Sequence, residues 1–331
     1  MGSPPEPAGP PGRADGGRRP RASVIIPSWN GARFLPACLD ALRVQTLPDI
    51  EVLLVDNGST DDTAAVVARY PAVRVLRLTT NRGFAAAVNA GIRAARGEVI
   101  ALLNNDTAAD AGWLAALVAA LAAAPEAGMA TSKVLLFDRR DVLHTTGDTL
   151  DLAGSPGNRG VWEVDRGQWD AQRDVFGASG AAAAYRRALL EDVGLFEESF
   201  GSYLEDVDLA WRARLAGWGC VYVPEAVVYH HLSATGGGAV ASYLVARNRT
   251  WLIARNYPTR LLLKHGRRVL GAQLGALRAA LGSWRGAEAR ATLRGLLVGW
   301  LTWPRMLPAR RRIQARRTLS DRQLERLMCA R

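Results

Sequence analysis

The sequence predicts an α/β fold, a mostly parallel sheet flanked by helices, with a helical tail at the C-terminal end. Three observations carry that prediction. Four short apolar, β-branched runs alternate with helical periodicities between Ser23 and Leu103, the pattern of a parallel sheet covered on both faces. Two of these runs stop on carboxyl groups, and open α/β sheets bind their ligands at such C-terminal strand ends. Beyond Pro258, apolar residues recur at three- and four-residue steps among many arginines, which reads as amphipathic helix.

Ser23–Pro27 (SVIIP) is the first strand, followed by the loop Ser28-Trp29-Asn30-Gly31 and by Phe34, Leu35, Cys38, Leu39 and Leu42 at helical spacing. Glu51–Val55 is the second strand and runs into Asp56. Asp61–Tyr70 reads as the next helix, with Thr60 as its N-cap. Val73–Leu78, Gly83–Ala95 and Glu98–Leu103 continue the alternation as strand, helix and strand. Ala111–Ala124 is a charge-free helix, too short and too weakly apolar to span a bilayer. Met129–Phe137 is a further strand. From Asp138 to Val175 periodicity fades into polar residues, Gly and Trp, the mark of a variable excursion built of hairpins.

The chemistry gathers at the strand ends. Val99–Thr107 (VIALLNNDT) stops its apolar run on Asn104, Asn105 and Asp106. A carboxylate there suits Mg²⁺ or Mn²⁺, whose shell substrate phosphates would complete; the alternative is that Asn-Asn-Asp merely caps the following helix. The right-handed crossover rule puts Asp56 on the same edge. Asn81-Arg82-Gly83 ends the intervening strand, offering charge to a phosphate and a close backbone approach at a helix N-terminus. The small residues of Phe176–Tyr185 permit a ligand's approach or tight packing inside the sheet. Tyr203–Ala216 reads as a helix opening with Glu205, Asp206 and Asp208. Acids there offset the helix dipole, and one beside a cleft can be a general base. His230-His231 ends an apolar strand and can ligate a divalent metal. No GxGxxG or GxxxxGK[ST] is present, which disfavours dinucleotide-cofactor and P-loop readings.

The chain has 331 residues, 49% of them hydrophobic, enough for a full core, and a formal charge of +11. That charge is unevenly placed. Residues 247–331 hold 20 Lys/Arg against 3 Asp/Glu, whereas residues 23–246 hold 18 against 26. A nucleic-acid binder carries its basic residues on the folded face. An acidic body with a basic tail points to an enzyme core held at an anionic surface. Cys38, Cys220 and Cys329 match no metal or disulfide pattern, which suits a reducing cytosol. Residues 1–22, rich in Pro, Gly and Arg, read as a disordered segment and not as a signal peptide.

From about Ser23 to Tyr257 these motifs, in this order, resemble glycosyltransferase family 2. The resemblance implies a GT-A nucleotide-diphospho-sugar transferase domain over 23–257, with a basic amphipathic helical tail over 258–331. SVIIPSWNG is similar to the family's opening strand and loop, which puts Pro27 and Asn30 with the donor. VDNGSTDDT resembles the base-recognition strand, with Asp56 as partner of the nucleobase. NRGFAAAVNAGI implies Asn81, Arg82, Gly83 and Asn89 around the diphosphate and sugar. LLNNDT stands at the DxD position, with Asn104 facing the donor in place of the first Asp and Asp106 as metal ligand. YLEDVDLAWRARLAGW is similar to the ED motif, implying Asp206 as catalytic base and Glu205 beside it. VVYHH implies His230 as a second metal ligand. Asn104 and the segment Tyr243–Pro258 resemble the rhamnosyltransferase-like branch.

The resemblance therefore implies an inverting, divalent-cation-dependent transfer of a sugar, such as the deoxyhexose rhamnose, from a nucleotide-diphosphate donor to a glycan or lipid-linked acceptor. The protein would work in the cytoplasm, peripherally bound through its tail to the inner face of the cell membrane. Two competing readings fare worse. A polysaccharide synthase of the same fold needs several membrane spans, and the longest strongly apolar run of the tail is Gly295–Pro304. An inactive nucleotide-sugar-binding module is expected to lack Asp106 or Asp206, and both are present.

Overall fold

A computed structural model describes residues 19–231 and 237–329. Most of the disordered segment expected over 1–22, and most of the glycine-rich stretch after His231, fall outside the described residues. The segment's expected end shifts, because Ala22 is the first residue of a strand and pairs with Ile50 and Val99.

The first half follows the predicted alternation: β1 (Ala22–Ser28), α1 (Leu35–Arg43), β2 (Ile50–Asp56), α2 (Thr63–Val67), β3 (Arg74–Arg77), α3 (Phe84–Ala94) and β4 (Val99–Leu103). Period-two alternation lets each central strand fill two cores at once. Val24, Ile26, Ala101 and Leu103 face one, whereas Ile25, Ile100 and Leu102 face the other. Helix α2 is shorter than expected and Thr60 is not its cap. The Asp61 carboxylate instead accepts from Thr63 N and Oγ1 (3.1 and 2.6 Å) and from Ala32 N (2.9 Å), fixing a turn that bridges two loops.

The second half comprises β5 (Thr107–Ala109), α4 (Trp113–Ala123), β6 (Ala127–Leu136), β7 (Leu143–Thr145), β8 (Asp148–Leu150), β9 (Pro156–Asn158), β10 (Ala182–Arg186), α5 (Arg187–Val193), α6 (Glu205–Leu215) and β11 (Gly219–His230). The main sheet runs β3-β2-β1-β4-β10-β6-β11-β5, with β7 on the side of β6. Parallel pairing is concentrated in β3-β2-β1-β4, and β10 inserts antiparallel to both β4 and β6, so the sheet as a whole is mixed. Residues 219–230 form a single strand, β11, with a register irregularity between Val223 and Val227 around Pro224. The excursion does form hairpins, β6–β7 and β8–β9.

Among the described residues, five α-helices follow β11: α7 (Gly238–Asn256), α8 (Thr259–Gly282), α9 (Ala287–Thr302), α10 (Leu307–Ala315) and α11 (Asp321–Cys329). They pack back onto the α/β body. Leu261, Val269, Leu324 and Met328 join the same buried cluster as Trp211 and Tyr257. Helix α9 lies on α7 at glycine contacts: a Cβ on Gly295 would fall 2.3 Å from the Tyr243 carbonyl oxygen. The apolar residues of α9 therefore divide. Leu296 is buried at that contact, while Leu297, Trp300 and Leu301 stay exposed. No helix among the described residues is long and apolar enough to cross a membrane.

Candidate active site

The C-terminal ends of β1, β2 and β4 form one polar edge, and Ser28 pairs in register with Asp56 there. Asp56 is buried, and its Oδ1 accepts from Ser59 N (2.9 Å). Asn30 takes a left-handed backbone (φ 50°) and stitches the neighbouring loop to this one: its N–H donates to Ser59 Oγ (2.9 Å) and its Oδ1 accepts from Thr60 N (2.8 Å). Pro27 is buried inside β1 beyond the last residue paired with β4, where its missing N–H costs no ladder bond.

Asn57, which sequence reasoning did not single out, organises the next loop. Its amide donates to Asn81 Oδ1 (3.0 Å) and to the Gly83 carbonyl (3.1 Å), while its Oδ1 accepts from Arg82 N (3.0 Å). Arg82 extends outward, 59% exposed, with Glu198 at 3.6 Å. Gly83 has φ 85°, and a Cβ there would stand 2.9 Å from the Gly201 backbone, so the close approach it allows is to Gly201. Asn89 is not brought to the cleft surface. It is 1% exposed, and its amide is engaged by the Phe196 backbone in both directions and by Glu198.

After β4 the Asn-Asn-Asp stretch does not cap α4, whose N-cap is Gly112 without a side-chain bond. Asn104 is half-buried, and its backbone N–H donates to the Ala181 carbonyl (2.9 Å). Asn105 props the first loop through Ser28 Oγ (3.0 Å). Asp106 turns toward β11, where pairing of β5 sets His230 opposite Thr107. Asp106 Oδ1 and His230 Nε2 lie 3.1 Å apart. His231, one residue on, points the other way and stacks on Phe137 at 3.7 Å between ring centres. Behind His230 stands His144 of β7, a second residue that sequence reasoning missed, with its Nδ1 3.0 Å from His230 Nδ1. Burial, then the nearby His230, pushes the His144 imidazole down to about 4.

Two ligands at right angles and about 2.1 Å from an octahedral cation lie about 3 Å apart, so the spacing of Asp106 and His230 fits two adjacent ligands. Among the described residues no group of three or more His, Cys, Asp or Glu is arranged for a metal. Two protein ligands, with diphosphate oxygens and water completing the shell, is the arrangement that suits Mg²⁺ or Mn²⁺.

The third part of the site is the start of α6. Tyr203 and Leu204 both adopt left-handed backbones (φ 69° and 68°), so the helix begins at Glu205 and not at Tyr203 as expected. Two such residues in succession store strain of the kind found at functional sites. They present Asp206 with its Oδ2 on Gly180 N (3.0 Å) and its Oδ1 on Val207 N (2.8 Å). Gly180 and Gly177 have to be small: a Cβ at 180 would stand 3.0 Å from Asp206 Oδ2, and one at 177 would stand 2.5 Å from Ala210 Cβ. The small-residue stretch thus serves packing, and that packing holds Asp206. Burial raises the Asp206 carboxyl despite its backbone donors. Glu205 is raised further by burial and by Asp206, and its buried Oε2 has no hydrogen-bond partner among the described residues. Asp148, at the start of β8, is held well above the carboxylate range by burial and by Asp206. No sequence signal marked it.

Asp208 is structural. It is fully buried between Arg212 (2.8 Å) and Arg255 (2.8 Å), and Asn256 donates to it (2.7 Å).

The profile of glycosyl transferase family 2 matches residues 23–194, which include the polar edge of β1, β2 and β4 and the Asn-Asn-Asp stretch. The chain belongs to glycosyl transferase family 2. A curated relative, the N-acetylglucosaminyl-diphospho-decaprenol L-rhamnosyltransferase of Mycobacterium tuberculosis, is 32% identical over 253 residues, covering 70% of this chain and 82% of that protein. Among solved structures, the fold of this family 2 chain is similar to a Pyrobaculum calidifontis mannosyltransferase in complex with GDP-Man and Mn²⁺ (TM-score 0.55, 22% identity, 90% of this chain and 86% of that one). It is also similar to residues 1–349 of S. aureus TarS in complex with UDP-GlcNAc (TM-score 0.55, 19% identity, 89% and 90%). Both likenesses establish the GT-A architecture of this glycosyltransferase.

Proposed function

We propose that the protein transfers a sugar from a nucleotide-diphosphate donor to an acceptor hydroxyl with inversion, Asp206 acting as the base. The observation that carries this reading is the fixed carboxylate of Asp206 at the strained start of α6, held by Gly180 and Val207, with its pKa raised. A raised carboxylate is a better proton acceptor near neutral pH than an ordinary one. In a single displacement Asp206 takes the acceptor proton as that oxygen attacks the anomeric carbon, and the nucleotide diphosphate departs from the opposite side. No enzyme nucleophile is needed. Asp106 and His230 would hold the divalent cation, which when bound supplies charge to the leaving diphosphate. Asp56 and Asn30 line the nucleoside side of the edge, Arg82 is extended toward phosphate, and Asn104 faces the donor. Glu205 orients the acceptor.

The donor proposed is dTDP-rhamnose and the acceptor a lipid-linked saccharide, supported by the Mycobacterium tuberculosis relative and by the exposed face of α8. There Leu263, Leu270, Leu274, Leu281 and the following Trp284 form an exposed apolar ridge. Arg260, Arg267, Arg278 and Arg285 recur at steps of seven and eleven along its flank. Apolar residues beside arginines suit the headgroup region of an anionic membrane, so the proposed place of work is the cytoplasmic leaflet. A donor screen tests the assignment. dTDP-rhamnose with Mn²⁺ is expected to raise Tm more than UDP-glucose or UDP-N-acetylglucosamine, and to release dTDP when acceptor is added. The reverse ranking would remove rhamnose from the reading.

A further inference from the structure

His144 lies on β7 and His230 at the end of β11, on opposite sides of β6. The register pairs Leu135 with Leu143 on one side and Leu136 with His230 on the other. The rings meet over the end of β6, tilted at 41° with centres 4.9 Å apart and Nδ1 facing Nδ1 at 3.0 Å. Two imidazole nitrogens make a hydrogen bond only when one carries a proton and the other a lone pair. The proton on His230 therefore decides the proton on His144.

We propose that His144 is the positioning residue that sets which nitrogen of His230 is free to ligate a cation. This rests on the reading of Asp106 and His230 as the cation ligands. In one arrangement His230 Nε2–H donates to Asp106 Oδ1 while its Nδ1 accepts from His144 Nδ1–H. In the other, His230 carries its proton on Nδ1 and donates to His144 Nδ1, His144 keeps its proton on Nε2, and the His230 Nε2 lone pair faces Asp106. Only the second leaves a lone pair for a metal. Each ring moves one proton from one nitrogen to the other, so both stay neutral and no proton is released. A ligating imidazole commonly needs such a partner on its distal nitrogen to fix ring and tautomer, and losing it costs 10–100-fold in metal affinity. His144 can serve both arrangements because one atom, Nδ1, is donor in the first and acceptor in the second.

The test is Mn²⁺ binding by the full-length protein with dTDP present, read from the free-Mn²⁺ electron paramagnetic resonance signal. His144→Phe fills the space without an acceptor and is expected to weaken Mn²⁺ binding 10–100-fold. His144→Gln offers a carbonyl oxygen to His230 Nδ1 and is expected to recover most of that loss. The chain has four histidines, so long-range ¹H–¹⁵N spectra resolve each ring. Added Mg²⁺ should move the His230 proton from Nε2 to Nδ1 in the wild type. Equal Mn²⁺ affinity in wild type and His144→Phe would overturn the role of His144 alone, as would a Gln variant no better than Phe. A wild type that binds no Mn²⁺ would overturn the cation reading beneath it.

Discussion

Asp148, buried, and Asp206, half-buried, are neighbouring carboxyls to which the proposed mechanism gives opposite duties, and substitution by asparagine separates them. Burial and the neighbouring Asp206 hold the Asp148 carboxyl well above its ordinary value, which favours the protonated acid; Asn mimics a protonated acid, and Asp148→Asn should keep transfer within a few-fold of wild type. A loss like that expected for Asp206 would show that Asp148 works as a carboxylate. As the proposed base, Asp206 would accept a proton only when ionised, so kcat/KM should rise with pH through its pKa. Burial places that acid limb above the ordinary aspartate value of about 3.9. A limb at or below the ordinary value would contradict a base with a raised pKa. Asp56, Asp106 and Asp206 stand out in the sequence as candidates because each interrupts a periodic apolar pattern or opens one. His144 was not, since its partner lies 86 residues away and only strand pairing brings the two together.

At the scale of elements, α6 carries both the proposed base and the ion cluster that anchors the helix. Asp208 would be raised by burial, but Arg255 and Arg212 with Asn256 outweigh that and hold it below its ordinary value. Its folded pKa lies below its unfolded one, so its stabilisation is complete above about pH 4 and is lost as pH falls through the depressed folded value. Breaking a buried pair of this kind costs about 3–5 kcal/mol. Asp208→Asn should therefore lower Tm markedly at pH 7, and the gap to wild type should close in acid. A constant gap across pH would mean that the charge is not what matters. The strands and helices of the first half were legible because parallel strands buried on both faces are continuously apolar and β-branched. Antiparallel β10 was not, because Ala182-Ala183-Ala184 carries no β signal and owes its place to β4 and β6 on either side. Nor was the start of α6, since nothing in Tyr203-Leu204 announces two left-handed residues.

For the whole molecule, the C-terminal helices have a buried face that joins the core and an exposed face that is proposed to meet a membrane. Leu261, Val269, Leu324 and Met328 complete the core, so removing the tail after Pro258 would strip the catalytic body as well as any membrane contact. Surface substitutions are the cleaner probe. The full chain should co-sediment with anionic vesicles and release in high salt, each arginine near the leaflet contributing about 1 kcal/mol. Replacing Leu270, Leu274 and Leu281 by Ser, or Arg267, Arg278 and Arg285 by Glu, should abolish binding and leave Tm nearly unchanged. Unaltered sedimentation of both variants would remove α8 from membrane docking.

The proposed mechanism turns on Asp206, and nucleotide-diphosphate release from dTDP-rhamnose with acceptor and Mn²⁺, measured for wild type and Asp206→Asn side by side, tests it most directly. Asn keeps the shape and hydrogen bonding of the side chain but cannot take the proton. Acceptor-dependent release should fall by ~10²–10⁴ while donor affinity barely changes. Equal release by the two proteins would contradict the assignment of the base and the mechanism built on it.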